Sequence, residues 1–187
     1  MPLLCEKTSL PGVLLFKPDI FADDRGSFRE TFHAAKYREL GLEAVFVQDN
    51  FSRSKRDVLR GLHYQLRHPQ GKLVAAMQGA IFDVAVDIRV GSPTFGRWMG
   101  QVLSDENGFQ LFIPAGFAHG FCVLSDIADV LYKCTDYYVR EDDCGLRWSD
   151  PGLTINWPVK SPILSAKDEQ LPIIQQLTPD KLPRVSS

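Results

Sequence analysis

The sequence predicts an all-β fold of the sandwich or barrel type with few helices. Short segments rich in β-branched and aromatic residues recur along the 187 residues, and Gly, Pro, Asp and Asn separate them. The clearest is IFDVAVDIRV (81–90), where five apolar residues from Phe82 to Val90 occupy alternate positions. Many short strands at this spacing are typical of β-sandwiches and β-barrels.

Two short helices are predicted beside these strands. The segment TFHAAKYRELGL has Thr31 as a candidate N-cap, a run of good helix formers and Gly41 as a stop. Near the end, SAKDEQLP offers Ser165 as an N-cap and ends in a proline.

Further strands are predicted downstream of residue 90. GRWMGQVL and FQLFIP flank the turn-forming SDENG, and PAGFAHGFCVLS and DVLYKCTDYYV continue the pattern. We find no repeat, low-complexity segment or linker. We therefore expect residues 1–187 to form a single domain, with a core over about 10–170 and a loosely held tail from about 176.

The composition is that of an ordinary globular protein, with 44% hydrophobic and 11% aromatic residues. No apolar run approaches the ~18 residues of a membrane span, and the N-terminus lacks the features of a signal peptide. A net charge of −2 argues against a nucleic-acid partner. The four cysteines form no C-x-x-C pair, which predicts free thiols in a cytoplasmic protein and no zinc site.

Charge is concentrated in residues 51–72, where six basic residues accompany one acid, Asp57. Two interpretations remain open: a solvated basic loop, or a site for an anion such as a diphosphate, which Arg and Lys suit as donors. The basic residues are Arg53, Lys55, Arg56, Arg60, Arg67 and Lys72.

Histidine chemistry is the main candidate, because no phosphate-binding glycine loop or serine-hydrolase elbow is present. A β-barrel metal site usually has two histidines at i and i+2, and neither His63 nor His119 has such a partner. For His63 to act as a general base, a carboxylate must come from elsewhere in the chain. Asp168 is a candidate, although Ser165-x-x-Asp168 also matches a capping box, which the residues alone favour.

Tyr132 lies in a predicted strand, where a tyrosine most often packs in the core but could also serve as a general acid.

Nine motifs in order over about residues 10–170 resemble the dTDP-4-dehydrorhamnose 3,5-epimerase family. They are DDRGSFRE, VQDNFSRS, LRGLHYQ, QGKLV, FDVAVDIR, FIPAGFAHGF, YKCTDYY, LRWSDPGLTINWP and LSAKD. The resemblance implies a cupin-like jelly roll and an epimerase of dTDP-L-rhamnose biosynthesis that needs no metal and no cofactor. Its substrate would be a dTDP-sugar, dTDP-4-dehydro-6-deoxy-D-glucose, and its product dTDP-4-dehydro-L-rhamnose.

The resemblance also implies roles for single residues. His63 matches the family's general base, and Asp168 matches the carboxylate that orients this base, which replaces the capping role for Asp168. Tyr132 matches the family's general acid, and Lys72 matches the residue that holds the enolate oxygen. The substrate-binding positions that match are Arg25, Phe28, Glu30, Gln48, Asn50, Arg60, His119, Tyr138, Asp143 and Lys167.

The family further implies a homodimer, in which the segment from Arg25 to Glu30 completes the neighbouring subunit's site. Two positions depart from the family's pattern: Cys134 stands where threonine or serine is common, and Asp143 where glutamate is common. The alternatives are an epimerase of carbon 3 or carbon 5 alone, a sugar-nucleotide ketoisomerase, a metal-dependent cupin dioxygenase and a sugar-binding module without catalysis.

Overall fold

The computed structural model describes residues 2–185, which contain thirteen strands and two α-helices. The strands are β1 (Leu3–Lys7), β2 (Leu14–Pro18), β3 (Phe21–Asp23), β4 (Gly26–Phe28), β5 (Gln48–Lys55), β6 (Leu59–Gln65), β7 (Lys72–Gln78), β8 (Ala80–Asp87), β9 (Trp98–Ser104), β10 (Gln110–Ile113), β11 (Phe117–Val123), β12 (Ile127–Cys134) and β13 (Asp143–Gly145). The helices are α1 (Ala34–Glu39) and α2 (Ala166–Glu169), and short 3-10 turns cover Arg140–Asp142, Ile174–Gln176 and Pro179–Lys181.

Two antiparallel sheets form a sandwich. One sheet has the order β1-β2-β10-β7-β12-β5 and the other β13-β6-β11-β8-β9, while β3 and β4 form a separate hairpin. Apart from the β1–β2 and β8–β9 pairs, neighbouring strands in each sheet are not consecutive in sequence, which is the arrangement of a jelly roll. The predicted all-β fold with few helices is confirmed.

The central core lies between the two sheets and receives side chains from both. Val74 and Leu111 come from the six-stranded sheet, and Ile81, Leu103 and Phe121 from the five-stranded one. All are buried apolar residues, and burial of such side chains is the main favourable term in folding.

The strand predicted over 81–90 is β8, and both of its faces are buried. Val84 and Val86 pack in a second cluster on the outer side of the sheet, whereas Ile81 and Ala85 face the central core. The alternation therefore separates two buried faces instead of a core face and a solvent face.

The sequence predicted the N-cap of α2 correctly, whereas for α1 it predicted the stop correctly and the N-cap incorrectly. Thr31 does not cap α1: the N-cap is His33, and the Thr31 carbonyl accepts hydrogen bonds from Tyr37 Oη and Gln110 Nε2 instead. The stop at Gly41 is confirmed, since its φ of 94° lies in the left-handed region that glycine tolerates best. Ser165 caps α2 as predicted.

The C-terminal segment is packed where the sequence suggested a loose tail. Leu182 is buried in the outer cluster, the Tyr64 hydroxyl donates to the Lys181 carbonyl over 2.8 Å, and the Val90 amide donates to the Pro183 carbonyl over 2.8 Å. The segment from about 176, expected to be loosely held, thus makes specific contacts with the outer face of the five-stranded sheet around residues 181–183.

Across residues 2–185, the structure shows no helix with the length and apolar character required to cross a bilayer.

Leu103→Ala should destabilise the protein by about 2–5 kcal/mol, because Leu103 is fully buried in the central core and its truncation leaves a cavity. Its neighbour Val102 points the other way and is 41% exposed. Val102→Ala is the control and should change stability by less than about 0.5 kcal/mol. Urea unfolding of both variants measures the difference, and equal losses would contradict the described core.

Candidate active site

A cavity of about 570 Å³ is lined by residues of both sheets. Strands β5, β6, β7, β11, β12 and β13 contribute to its lining together with α2. Eleven of the fourteen predicted site residues line it: Gln48, Asn50, Arg60, His63, Lys72, His119, Tyr132, Tyr138, Asp143, Lys167 and Asp168.

His63 and Asp168 form a close pair in this cavity. His63 Nε2 lies 2.6 Å from Asp168 Oδ1, and Asp168 Oδ2 accepts a 3.4 Å hydrogen bond from the Gly61 amide. Burial acts to raise the pKa of Asp168, but the hydrogen bonds from His63, Gly61 and Ser165 outweigh it, and the net pKa is lowered. Asp168 is thus an ionised acceptor, and when it accepts from Nε2–H of His63, Nδ1 is the ring nitrogen left to face the cavity.

The capping role and the pairing role of the SAKD motif coexist. Ser165 Oγ accepts from the Asp168 backbone amide over 3.1 Å, which is the serine half of a capping box. The Asp168 carboxylate bonds His63 Nε2 and the Gly61 amide. The residue-based preference for a complete cap is therefore wrong for the Asp168 side chain.

Two glycines allow β6 and β11 to approach each other beside this pair. A Cβ on Gly61 would lie 2.6 Å from Gly120 Cα and 2.8 Å from the His119 carbonyl oxygen. Gly61 also has a φ of 120°, which side chains rarely adopt. The RGLHYQ motif therefore needs glycine before Leu62 for the chain to bring His63 and the Gly61 amide to Asp168.

Tyr132 and Lys72 lie on the opposite wall, in the six-stranded sheet. They are diagonal neighbours, because β12 pairs Tyr132 with Val74 and Cys134 with Lys72. Burial raises the pKa of Tyr132, so its phenol keeps its proton at neutral pH. Burial lowers the pKa of Lys72, which nearby Cys134, Asp143 and Asp83 partly offset.

A second imidazole–carboxylate pair lies beside the first. His119 Nε2 is 2.7 Å from Asp83 Oδ1, and both residues are buried. Asp83 is not among the predicted site residues, because it lies on the polar side of a predicted strand. The available signal was an acid within a strand that is otherwise strongly apolar.

The cavity mouth is held by side chains of β5, β6, β13 and α2, together with Tyr138. Asp143 Oδ2 accepts a 2.9 Å hydrogen bond from Tyr138 Oη and forms a 2.5 Å ion pair with Lys167 Nζ. Gln48 Oε1 accepts from the Tyr138 amide over 2.9 Å. Gln65, which was not predicted, lines the cavity and accepts from the Val139 amide over 2.7 Å, so it fixes the same rim.

Some basic residues of 51–72 lie at the cavity, as expected for an anion site, and others form ion pairs outside it. Arg60 and Lys72 line the cavity, with Arg60 Nε donating to Ser54 Oγ over 3.0 Å. Arg53 pairs with Asp129 at 2.7 Å outside it. Arg56 and Arg67 likewise pair with Asp126 and Asp142, so only part of the cluster is available to an anion in the cavity.

Three predicted substrate-binding residues do not line this cavity. Arg25 and Phe28 lie on the exposed β3–β4 hairpin, where Arg25 pairs with Asp23 and Phe28 is 64% exposed. Glu30 follows the hairpin and pairs with Lys36 at 2.8 Å.

Within residues 2–185, no cluster of three or more His, Cys, Asp or Glu side chains is arranged to hold a metal ion. All four cysteines are free thiols, as predicted.

The family model described as dTDP-4-dehydrorhamnose 3,5-epimerase matches residues 7–176. The chain belongs to this family. The resemblance based on the nine motifs is thus confirmed, and members of the dTDP-4-dehydrorhamnose 3,5-epimerase family match most of the chain in both sequence and structure.

Relatives in the family are close. An Escherichia coli (strain K12) dTDP-4-dehydrorhamnose 3,5-epimerase is 51% identical over 179 residues, covering 94% of this chain and 97% of that protein. A Neisseria gonorrhoeae protein of the same name is 56% identical over 162 residues, covering 86% of this chain. The match spans only 49% of that longer relative. A Streptomyces niveus dTDP-4-dehydrorhamnose 3-epimerase is 39% identical over 162 residues, covering 86% of this chain and 78% of the relative.

The solved structures agree with the fold. The crystal structure of dTDP-6-deoxy-D-glucose-3,5-epimerase from Legionella pneumophila Philadelphia 1, in complex with dTDP-4-keto-L-rhamnose, superposes with a TM-score of 0.96 at 49% identity. The alignment covers 100% of both chains.

Proposed function

We propose that this chain converts dTDP-4-dehydro-6-deoxy-D-glucose to dTDP-4-dehydro-L-rhamnose by epimerising carbons 3 and 5 of the sugar. The observation that carries the proposal is the His63–Asp168 pair, which lies in the same cavity as Tyr132 and Lys72 on the opposite sheet. Family membership identifies the reaction class, and the cavity supplies groups suited to each of its steps.

The first step is removal of a hydrogen next to the ketone at carbon 4. The carbonyl acidifies that hydrogen by accepting the electron pair as an enolate, so the electron sink belongs to the substrate itself. His63 Nδ1 takes the proton as general base, and the Asp168 carboxylate stabilises the imidazolium that forms. Such a base contributes about 10²–10⁴ to the rate.

The enolate is held and reprotonated from the other wall. Lys72, which lines the cavity, donates to the developing oxyanion, and one positioned donor of this kind is worth about 3 kcal/mol. Tyr132 returns a proton to the opposite face of the carbon, which inverts the centre. Its raised pKa keeps the phenol protonated and available as an acid.

The nucleotide diphosphate occupies the mouth of the cavity. Arg60 and Lys167 offer cationic donors of the type that bind phosphate. Gln48 and Asn50 add amide groups, and Tyr138 a half-exposed aromatic ring suited to packing on the base. Asp143 already engages Tyr138 and Lys167, so it orders the mouth for the ligand.

Action at both carbons is favoured over action at one. The relatives that share about half of their residues with this chain are named 3,5-epimerases, whereas the named 3-epimerase shares 39%. The paired wall groups do not by themselves distinguish the two reactions, so labelling of each carbon is the decisive measurement.

Incubation with dTDP-4-dehydro-6-deoxy-D-glucose in deuterated water should introduce deuterium at both carbon 3 and carbon 5. Each abstracted hydrogen is replaced from solvent, and proton NMR with mass spectrometry locates the label. Exchange should persist with a strong chelator, as expected for a reaction without a metal. Label at one carbon alone would support the single-site alternative, and no label at either would contradict the epimerase proposal.

His63→Ala should lower exchange at least about 10²-fold, because it removes the proposed general base from the cavity. Tyr132→Phe should retain more of the exchange but impair product configuration, because its wall lacks the proton donor. His68→Ala and Tyr137→Phe are matched controls, since neither residue lines the cavity. Intact turnover and stereochemistry in Tyr132→Phe would contradict the assigned acid.

We infer that residues 1–187 act as one domain and that two copies form a homodimer in which the β3–β4 hairpin completes the neighbouring site. One core shared by both sheets supports the single domain. The dimer is supported by the position of Arg25 and Phe28, which are exposed and lie outside the chain's own cavity. Free thiols suit a reducing compartment, and we place the enzyme in the cytoplasm.

Mixing Arg25→Ala and His63→Ala dimers, with subunit exchange, should restore activity that each variant lacks. If Arg25 acts across the interface, each mixed dimer contains one site with both wild-type residues, and random mixing gives about a quarter of wild-type activity. No recovery, with subunit exchange verified by native mass spectrometry, would show that Arg25 acts within its own subunit or not at all.

A further inference from the structure

Asp83 is a buried carboxylate that the proposed proton transfers do not use. It lies in the middle of β8 and is 0% exposed. Its Oδ1 lies 2.7 Å from His119 Nε2. Its Oδ2 has no hydrogen-bond partner within residues 2–185. Burying an incompletely satisfied carboxylate is costly, so a structural role alone would favour an apolar residue here.

The Asp83–His119 pair lies directly beside the wall that holds the base. Strand β11 lies between β6 and β8, and its pairing places His119 opposite His63 on one side and Ala85 on the other. Asp83 pairs with Phe121, so it is a diagonal neighbour of His119 in the sheet. His119 lines the cavity and Asp83 lies behind it.

The ring of His119 has one nitrogen committed and one free. Nε2 faces Asp83, and Nδ1 has no hydrogen-bond partner within the described chain. In residues 2–185, only Ser52 Oγ and Asp83 Oδ2 are fully buried polar side-chain atoms without a partner. The unpaired Nδ1 therefore retains some exposure, and the cavity that His119 lines is the open space available to it.

We propose that Asp83 is a positioning residue that holds His119 as the neutral Nε2–H tautomer, so that Nδ1 accepts a hydrogen bond from a hydroxyl of the bound sugar. The inference rests on the proposed function, because it assigns a contact to that same sugar. It excludes the ketone oxygen as the partner of His119, because an oxygen without hydrogen cannot donate to Nδ1.

The surrounding charges agree with a neutral ring. Burial lowers the pKa of His119, and the neighbouring Lys72 and His63 lower it further. Asp83 acts in the opposite direction, through its charge and its hydrogen bond, and does not reverse the shift. His119 is therefore an uncharged imidazole at neutral pH, and the carboxylate selects which nitrogen bears its proton.

The direct test is nitrogen NMR of the full chain labelled with ¹⁵N-histidine, without any substitution. His119 should show a protonated Nε2 and an unprotonated Nδ1 at neutral pH. A His119 that is doubly protonated, or protonated at Nδ1, would overturn the proposal. This measurement requires neither catalysis nor ligand, so its outcome is separate from that of the epimerase proposal.

The second test is Asp83→Asn, in which the amide can donate to Nε2 and so favour the Nδ1–H tautomer. KM for dTDP-4-dehydro-6-deoxy-D-glucose should rise roughly 3- to 10-fold through loss of one hydrogen bond. The dissociation constant of dTDP alone should stay unchanged, because dTDP lacks the sugar. The His119 nitrogen signals should shift at the same time.

Asp87→Asn is the matched control. Asp87 is in the same strand and equally buried, but its carboxylate bonds Arg89, Ser92 and Thr94 and does not line the cavity. This variant should leave the His119 signals and the KM unchanged even if it lowers stability. An equal rise in KM in both variants, or unchanged His119 signals in Asp83→Asn, would show that Asp83 acts only through the fold.

Discussion

The bond between His63 and Asp168 joins residues 105 positions apart and sets the requirements for much of the chain. Asp168 reaches the base only because α2, capped by Ser165, docks against β6. Gly61 must let β11 approach, and its amide completes the carboxylate's hydrogen bonds. The cap, the glycine and the strand register therefore all serve to position one imidazole–carboxylate pair.

Burial gives the cavity its reactivity. The sandwich is apolar between its sheets, and the polar groups sit where that core meets the opening. Desolvation moves the pKa of Tyr132 up and that of Lys72 down, because it disfavours whichever form is charged. On this wall the protonated phenol of Tyr132 is suited to returning a proton. The amine of Lys72, whose pKa is lowered, is suited to stabilising the enolate.

The described chain builds the sugar end of its cavity more fully than the nucleotide end. Base, acid and oxyanion candidates come from two facing sheets of one copy. Arg25 and Phe28 are on a separate exposed hairpin, which is why we propose that a second copy completes the mouth. Asp143 then orders the part of that mouth that each copy supplies for itself.

Local pattern was sufficient for the all-β class, the Ser165 cap and the Gly41 stop, because propensity and turn chemistry act over a few residues. Motif order was sufficient for the family and for the eleven predicted residues that line the cavity. Only the tertiary structure showed that Asp168 bonds His63 while Ser165 still caps α2, that Asp83 lies against His119, and that the segment around Lys181 contacts β6. The reason is physical: each depends on contacts between segments far apart in sequence, which local periodicity does not encode.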